Sequence, residues 1–232
     1  MRALAVAVFA ALALAPGASA DRAAGGRLFH EACAQCHGFD GRGVRNQGPP
    51  LLDAGAAGAD FYLSTGRMPL DHPAEPVRSE PAYTRSQIAD LADFVASLGP
   101  GPPIPSVDPA AGSLSEGQQL FAQFCAGCHQ IAARGGAVTG AVAPALDAPT
   151  PVQIAEAVRT GPYVMPAFGE RLIDGHQLDS IIRYVEYTRH PDNHGGWSLA
   201  SLGPIPEGIV AWFVGALALV VFIRFLGRRT EE

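Results

Sequence analysis

Cys33-Ala34-Gln35-Cys36-His37 and Cys125-Ala126-Gly127-Cys128-His129 decide how this chain is read. Each is a pattern through which a protein takes up a c-type haem covalently. Two thiols three positions apart lie along one side of a helical turn, where both can add to the vinyl groups of one porphyrin. The histidine that follows is then carried beneath the iron. The two motifs use all four cysteines and leave none over. A lone CxxC would serve equally as a redox dithiol or as half of a zinc site. A zinc ribbon, however, needs its pairs far closer than Cys33 and Cys125, and a thioredoxin-like dithiol has no use for His after the second Cys. Two covalently bound haems c are expected, on Cys33/Cys36 and Cys125/Cys128, with His37 and His129 as iron ligands.

The second axial ligand sets what such an iron does. Apart from the initiator, the chain has two methionines: Met68 in Gly66-Arg67-Met68-Pro69 and Met165 in Tyr163-Val164-Met165-Pro166. Each follows its CxxCH histidine by a few tens of residues, and each precedes proline. A methionine is often only a gap-filler in a core. Two Met-Pro pairs, one per haem motif and none elsewhere, point to ligands instead. Proline after Met disfavours helix at the Met and suits an extended loop that carries a thioether to iron. His/Met ligation raises the reduction potential and closes the iron to small molecules, so the expected chemistry is electron transfer, with no small-molecule substrate bound directly.

Aligning the motifs exposes an internal repeat. Gly25-x-x-Leu28-Phe29 and Gly117-x-x-Leu120-Phe121 precede their cysteines at equal distances, and Pro49-Pro50-Leu51 and Pro144-Ala145-Leu146 follow. Each half closes on an amphipathic stretch: Thr84–Leu98, with Ile88, Leu91, Phe94 and Val95 on one face, and Asp174–Thr188, with Leu178, Ile181, Ile182 and Val185. Phe94 and Tyr184 occupy equivalent places.

Each half resembles the class I cytochrome c fold. The resemblance implies that Gly25 and Gly117 let the two terminal helices of a domain approach closely. It also implies that the carbonyls of Pro49 and Pro144 accept the Nδ1 hydrogen of the proximal histidines. The fold expected is mainly α: two tandem class I cytochrome c domains, over 21–98 and 114–190, plus one C-terminal transmembrane helix. Domains this small bury little surface by themselves, so haem would supply much of the core. Between them, 99–113 holds Pro100, Pro102, Pro103, Pro105 and Pro109, a composition that favours a stiff, extended spacer.

Residues 1–20 read as a secretory signal: Arg2, an apolar stretch from Ala3 to Leu14, then Ala18-Ser19-Ala20. Whether it is cleaved or kept as an anchor stays open. A juxtamembrane segment, 191–207, leads to a second apolar run over 208–226, broken only by Arg224 near its end, where the side chain can snorkel. Nineteen residues at ~1.5 Å each reach roughly 28 Å, close to the hydrocarbon thickness. Arg224, Arg228 and Arg229 at its far end and Glu207 before it set the orientation by the positive-inside rule. The tail 227–232 is then cytoplasmic, and both haem domains face outwards from the plasma membrane. Ala211 and Gly215 form a small-xxx-small pair that could seat a neighbouring helix.

The formal net charge is −6, or −7 without residues 1–20, which carry Arg2 and no acid. No lysine is present. That balance excludes nucleic acid as a ligand and withholds the basic face of many soluble cytochromes c, so docking through fixed contacts in a complex is expected.

From Gly195 the chain reads Gly195-Gly196-Trp197-Ser198-Leu199, then Leu202-Gly203-Pro204-Ile205-Pro206-Glu207-Gly208-Ile209-Val210-Ala211-Trp212-Phe213-Val214-Gly215. The G-P-x-x-E-G-x-x-A-W-x-x-G run resembles the dihaem cytochrome cc subunit of the actinobacterial menaquinol–cytochrome c reductase. The likeness covers essentially the whole mature chain; the loops between His37 and Met68, and the acidic, proline-rich Asp71–Pro81, agree only loosely. It implies a haem c subunit of a quinol–cytochrome c reductase (translocase), not catalytic alone. The implied partners are cytochrome b and Rieske iron-sulfur subunits and a haem-copper oxidase. Electrons from the Rieske centre would enter at the haem of Cys125/Cys128 and leave for the oxidase from that of Cys33/Cys36.

Other classes answer to the same residues. A dihaem peroxidase needs one iron open or His-ligated, against two Met-Pro loops; His72 is its one candidate ligand. A Cys-ligated haem of the thiosulfate dehydrogenase kind needs a fifth cysteine. His30, His176, His190 and His194 have no metal-binding spacing and read as surface or helix-end residues. A dihaem subunit of a terminal oxidase or periplasmic dehydrogenase would use identical haem chemistry, and only the anchor segment separates it from the reductase reading.

Overall fold

The computed structural model describes residues 20–70, 77–192 and 204–229. Residues 1–19 of the signal segment, His72, and His194 with the Gly195–Gly203 part of the juxtamembrane run lie outside the described residues. The described residues form helices joined by irregular loops, with one short hairpin and one isolated bridge, and gather into two compact units: those within 1–107 and 150–174, and those within 108–149 and 175–232.

In the first unit, α1 (Arg22–Ala32) starts at Asp21, whose carboxylate accepts the N–H groups of Ala23 and Ala24. Cys33 ends α1 and opens the single turn α2 (Ala34–His37). After α3 (Gly55–Ser64) comes α4 (Arg85–Ala96), launched by a capping box between Thr84 and Gln87. Helices α1 and α4 cross where Gly25 lies against the backbone of Asp90 and Leu91. Phe29, Ala34, Leu63, Ile88, Leu91 and Val95 form the core around that crossing. The expected apolar face of Thr84–Leu98 is therefore the buried one, with Phe94 half-buried and its ring 5.1 Å from that of Phe29.

The helix α7 (Pro151–Thr160) also belongs to this unit, packed on α3, and so does the turn that carries Met165. The stretch expected to form one domain over 114–190 is thus divided between the two units. The spacer 99–113 has neither helix nor strand, as its prolines require. It is nevertheless tied down: the Pro102 carbonyl accepts the Ala57 N–H at 3.1 Å, and Gly101 lies on the backbone of Gly55.

The second unit repeats the crossing. Ser113 caps α5 (Leu114–Phe124), Cys125 leads into α6 (Ala126–His129), and α8 (Gly175–Arg189) crosses α5 where Gly117 meets the Ser180 carbonyl. Leu178, Ile181, Ile182 and Val185 are all buried with Phe121, whose ring lies 5.3 Å from Tyr184. The hairpin β1 (Gly136–Val138) and β2 (Ala141–Ala143) turns at Thr139-Gly140 and stands where the first unit has a single antiparallel bridge, Val44 to Gly48.

The last helix, α9 (Pro204–Arg229), is longer than the 208–226 read from hydropathy, because prolines 204 and 206 fall in its first turn, where a missing N–H costs nothing. Within Ile205–Gly227 the most apolar 18-residue stretch has a mean hydropathy of 2.5, and none of it is buried. The helix is long and apolar enough to cross a membrane.

Candidate haem-binding and electron-transfer site

Both CxxCH motifs take the same local form. Cys33 and Cys125 close their helices with αR backbone, and the N–H of His37 or His129 bonds back to the carbonyl of the first cysteine at 2.9 Å. That bond makes the pentapeptide one tight turn, which keeps the two thiols and the imidazole in a fixed relation. None of the four cysteines is bridged. Burial pushes the Cys33 thiol up to about 11 and the Cys125 thiol up to about 12, the neighbouring cysteine adding to it. A thiol held protonated in this way is a slow redox nucleophile. Among the described residues no three His, Cys, Asp or Glu side chains converge as a metal cluster.

The imidazoles are oriented as a proximal ligand must be. His37 Nδ1 donates to the Pro49 carbonyl at 2.8 Å, and His129 Nδ1 donates to the Pro144 carbonyl at 3.0 Å. Both rings are buried. One nitrogen is thereby committed to the backbone, and Nε2 is left for iron. Burial holds His129 below the ordinary imidazole range, against the opposing pull of the Pro144 bond; the neutral ring is the form that binds metal. These bonds are possible because the chain doubles back twice in the same way. Gly43 N–H bonds to the His37 carbonyl at 2.7 Å and Gly135 N–H to the His129 carbonyl at 2.9 Å. Both glycines have positive φ, 80° and 72°, and a Cβ on either would strike the backbone of the proline segment. Unbridged thiols, a buried and oriented imidazole, and glycine-lined turns together fit a covalently held haem.

Met68 packs against the core of the first unit, as Cys33 does. Its N–H and that of Arg67 both donate to the Tyr62 carbonyl, at 3.1 and 2.9 Å, which fixes the loop to the end of α3. Met165 stands in the turn after α7, where its N–H donates to the Pro162 carbonyl at 3.1 Å and Gly161 ends the helix in αL. The two methionine loops are thus launched from the two helices that pack together in the first unit. Of the remaining histidines, His30, His176 and His190 are exposed, and His176 Nδ1 lies 3.3 Å from Glu116 Oε2.

Two family models match the chain: "Cytochrome c" over residues 22–99, and "Cytochrome C oxidase, cbb3-type, subunit III" over 112–185. A cytochrome bc1 complex cytochrome c subunit from Corynebacterium diphtheriae is 34% identical over 224 residues, covering 88% of this chain and 79% of the relative. One from Mycobacterium tuberculosis is 35% identical over 216 residues, covering 89% of this chain and 77% of the relative. The chain belongs to the family of cytochrome bc1 complex cytochrome c subunits. The cbb3-type cytochrome c oxidase subunit CcoP of an Azospirillum species is 32% identical over 190 residues, 70% of this chain and 60% of the relative.

As a member of the bc1 complex cytochrome c subunits, the chain is an electron-transfer protein whose cytochrome c domains carry covalent haem c. Features that sequence reading passed over lie in the middle of each half. Helix α7 is announced by Thr150-Pro151-x-Gln153, a capping box with proline at the first helical position, so that signal was available. Helix α3 has no side-chain cap and no start signal. Nothing in the sequence marks Glu156, which is fully buried.

Proposed function

We propose that this subunit carries electrons from the Rieske iron-sulfur protein of a menaquinol–cytochrome c reductase to a haem-copper terminal oxidase, through two haems c. Cys33/Cys36 and Cys125/Cys128 would form the thioether bonds. His37 with Met68, and His129 with Met165, would be the axial ligand pairs. When bound, each haem supplies a one-electron Fe(III)/Fe(II) couple, whose potential a His/Met pair sets high. The observation that carries the reading is the duplicated histidine clamp, His37 on Pro49 and His129 on Pro144. Each clamp fixes the ring plane, so that gain or loss of an electron requires little movement of the ligand. Each methionine is held by a backbone bond, Met68 N–H to the Tyr62 carbonyl and Met165 N–H to the Pro162 carbonyl, and with both as second axial ligands the two irons would be closed to small ligands.

The partners follow from the kinship: cytochrome b and Rieske subunits, with an oxidase beyond them in the chain of transfer. Quinol oxidation and proton translocation would belong to the complex, with no quinone site on this chain. Helix α9 would anchor the subunit in the plasma membrane, haem domains outside and the C-terminal arginines inside. The haem of Cys125/Cys128 would accept from the Rieske centre and that of Cys33/Cys36 deliver to the oxidase. Met68→Ala tests that order in the intact complex by stopped-flow spectroscopy. Reduction of the second haem is expected to persist while oxidase reduction slows; the reverse pattern would overturn it.

A second reading has one observation of its own, the match of residues 112–185 to subunit III of cbb3-type oxidases. There the same haem chemistry would serve an oxidase directly. The matches to bc1 complex subunits extend over more of both chains, which favours the reductase.

A further inference from the structure

Helix α7 buries a carboxyl group that the haem sites do not use. Glu156 is 0% exposed, and among the described residues no donor meets Oε1 or Oε2; the side chain that reaches it is the Asp60 carboxylate, to which a protonated Glu156 can donate. Its neighbour across the helix contact is another acid, Asp60 of α3. Helix α3 brings two titratable side chains, Asp60 and Tyr62, and of these Asp60 acts on Glu156. Among the described residues no cation acts on Glu156. Arg159, on α7 itself, donates to the carbonyls of Phe168 and Ile173 at 2.9 and 2.7 Å. Arg78 turns to Gln153 Oε1 at 3.4 Å, and Gln153 in turn donates to the Ser64 carbonyl and hydroxyl at 3.3 and 3.1 Å. An ionised carboxylate buried without donors and beside a second acid is expensive, so the group holds a proton instead. Burial first, and the Asp60 charge second, push it up to about 9.

The position matters because of what these helices lead into. Asp60 lies one turn before the end of α3, which runs through Thr65-Gly66-Arg67 to Met68. Glu156 lies one turn before the end of α7, which runs through Gly161-Pro162-Tyr163-Val164 to Met165. The rings of Tyr62 and Tyr163, at the roots of the two loops, are 6.4 Å apart. We infer that Glu156, facing Asp60, is a proton-binding site that clamps α3 to α7, and that its ionisation loosens the helix pair from which both methionine loops are launched. The clamp rests on the helix contact alone; its consequence for the iron rests on Met68 and Met165 being ligands.

The test uses the full-length holo-protein in detergent, as wild type, Glu156→Gln and Asp60→Asn, between pH 5 and 10. Thermal unfolding reports the clamp, and the visible absorption of the thioether-ligated ferric haem reports the loops. The wild-type midpoint is expected to fall by about 10 °C or more as pH rises towards 9. Glu156→Gln, neutral throughout, should lose most of that fall, and Asp60→Asn should end it at lower pH because the neighbouring charge is gone. Thioether ligation should weaken as Glu156 ionises, near pH 9 in the wild type and at lower pH in Asp60→Asn, and should hold in Glu156→Gln. Parallel wild-type and Glu156→Gln midpoint curves would overturn the inference. Should Glu156→Gln fail to assemble, Asp60→Asn decides: a shift to lower pH supports the site, and an unmoved curve overturns it. Absence of the thioether signature already at pH 7 would instead remove the ligand assignment and leave the clamp to the thermal data.

Discussion

Substituting Gly117 by alanine should unseat the α5–α8 crossing, and the size of the effect can be worked out. A Cβ at Gly117 would fall on the Ser180 carbonyl oxygen, well inside van der Waals contact, with the Tyr184 Cβ also 3.1 Å away. The obstruction is backbone on the facing helix, so no rotamer change relieves it and the helices must separate. Separation loosens Phe121, Leu178, Ile181, Ile182 and Val185, all of them buried. Overpacking a well-packed core costs about 1–3 kcal/mol even where side chains can give way, so the upper end applies here. Alanine returns up to about 1 kcal/mol through its helix propensity. A net loss of about 2 kcal/mol should lower the melting temperature by roughly 10 °C in a domain of this size. The equivalent Gly25→Ala, directed at the Asp90 carbonyl, should do the same to the first unit. Thermal unfolding of the holo-protein, followed by far-ultraviolet circular dichroism, reads both. Gly175→Ala, in α8 with nothing within 4 Å of the added Cβ, supplies the control and should stay near wild type. An unchanged melting temperature for Gly117→Ala would refute the close-crossing argument.

Three further outcomes follow. Met165→Ala should keep both haems covalently bound but lower the potential of one, since a thioether ligand raises it; a spectroelectrochemical titration with two unchanged potentials would contradict the ligand assignment. Thr150→Ala removes the hydroxyl that accepts the Gln153 N–H at 3.2 Å and should cost about 1 kcal/mol, measurable by chemical denaturation. Stability should also depend on pH through Glu156. Its folded value, about 9, exceeds the ordinary carboxyl value of 4.5, so the native state holds the extra proton between them. Stability then falls as pH rises through that window, by up to about 1.4 kcal/mol per pH unit, and the slope should be shallower in Glu156→Gln.

What the sequence makes legible is what repeats or is chemically restricted. Cysteine spacing, the glycines ahead of each motif and the apolar faces of Thr84–Leu98 and Asp174–Thr188 all correspond to observed structure. They do so because each is imposed by a local requirement: a tight turn, a close helix crossing, a buried stripe. The prolines that accept the imidazole hydrogens came only from resemblance to a fold, since a carbonyl acceptor leaves no trace in residue identity. The middle helices were harder. Helix α3 begins without a cap, and α7 belongs by sequence to the second repeat but packs on α3. Glu156 was invisible because a glutamate on a helix is ordinarily solvated, and only tertiary packing reveals that this one is buried. The Gly136–Ala143 hairpin lengthens the turn that Val44 and Gly48 close in the first unit, and its strands are too short to leave a periodic signal.

The central claim is that one membrane-anchored chain carries two haems c within a quinol-oxidising complex. Mild-detergent purification through a C-terminal tag, with haem quantification and identification of the co-purifying subunits, tests it most directly. Two haems c per chain are expected, together with b-type haem, a Rieske protein and oxidase subunits. A single haem c per chain, or two haems c accompanied by oxidase or dehydrogenase subunits and no b-type haem or Rieske protein, would contradict it.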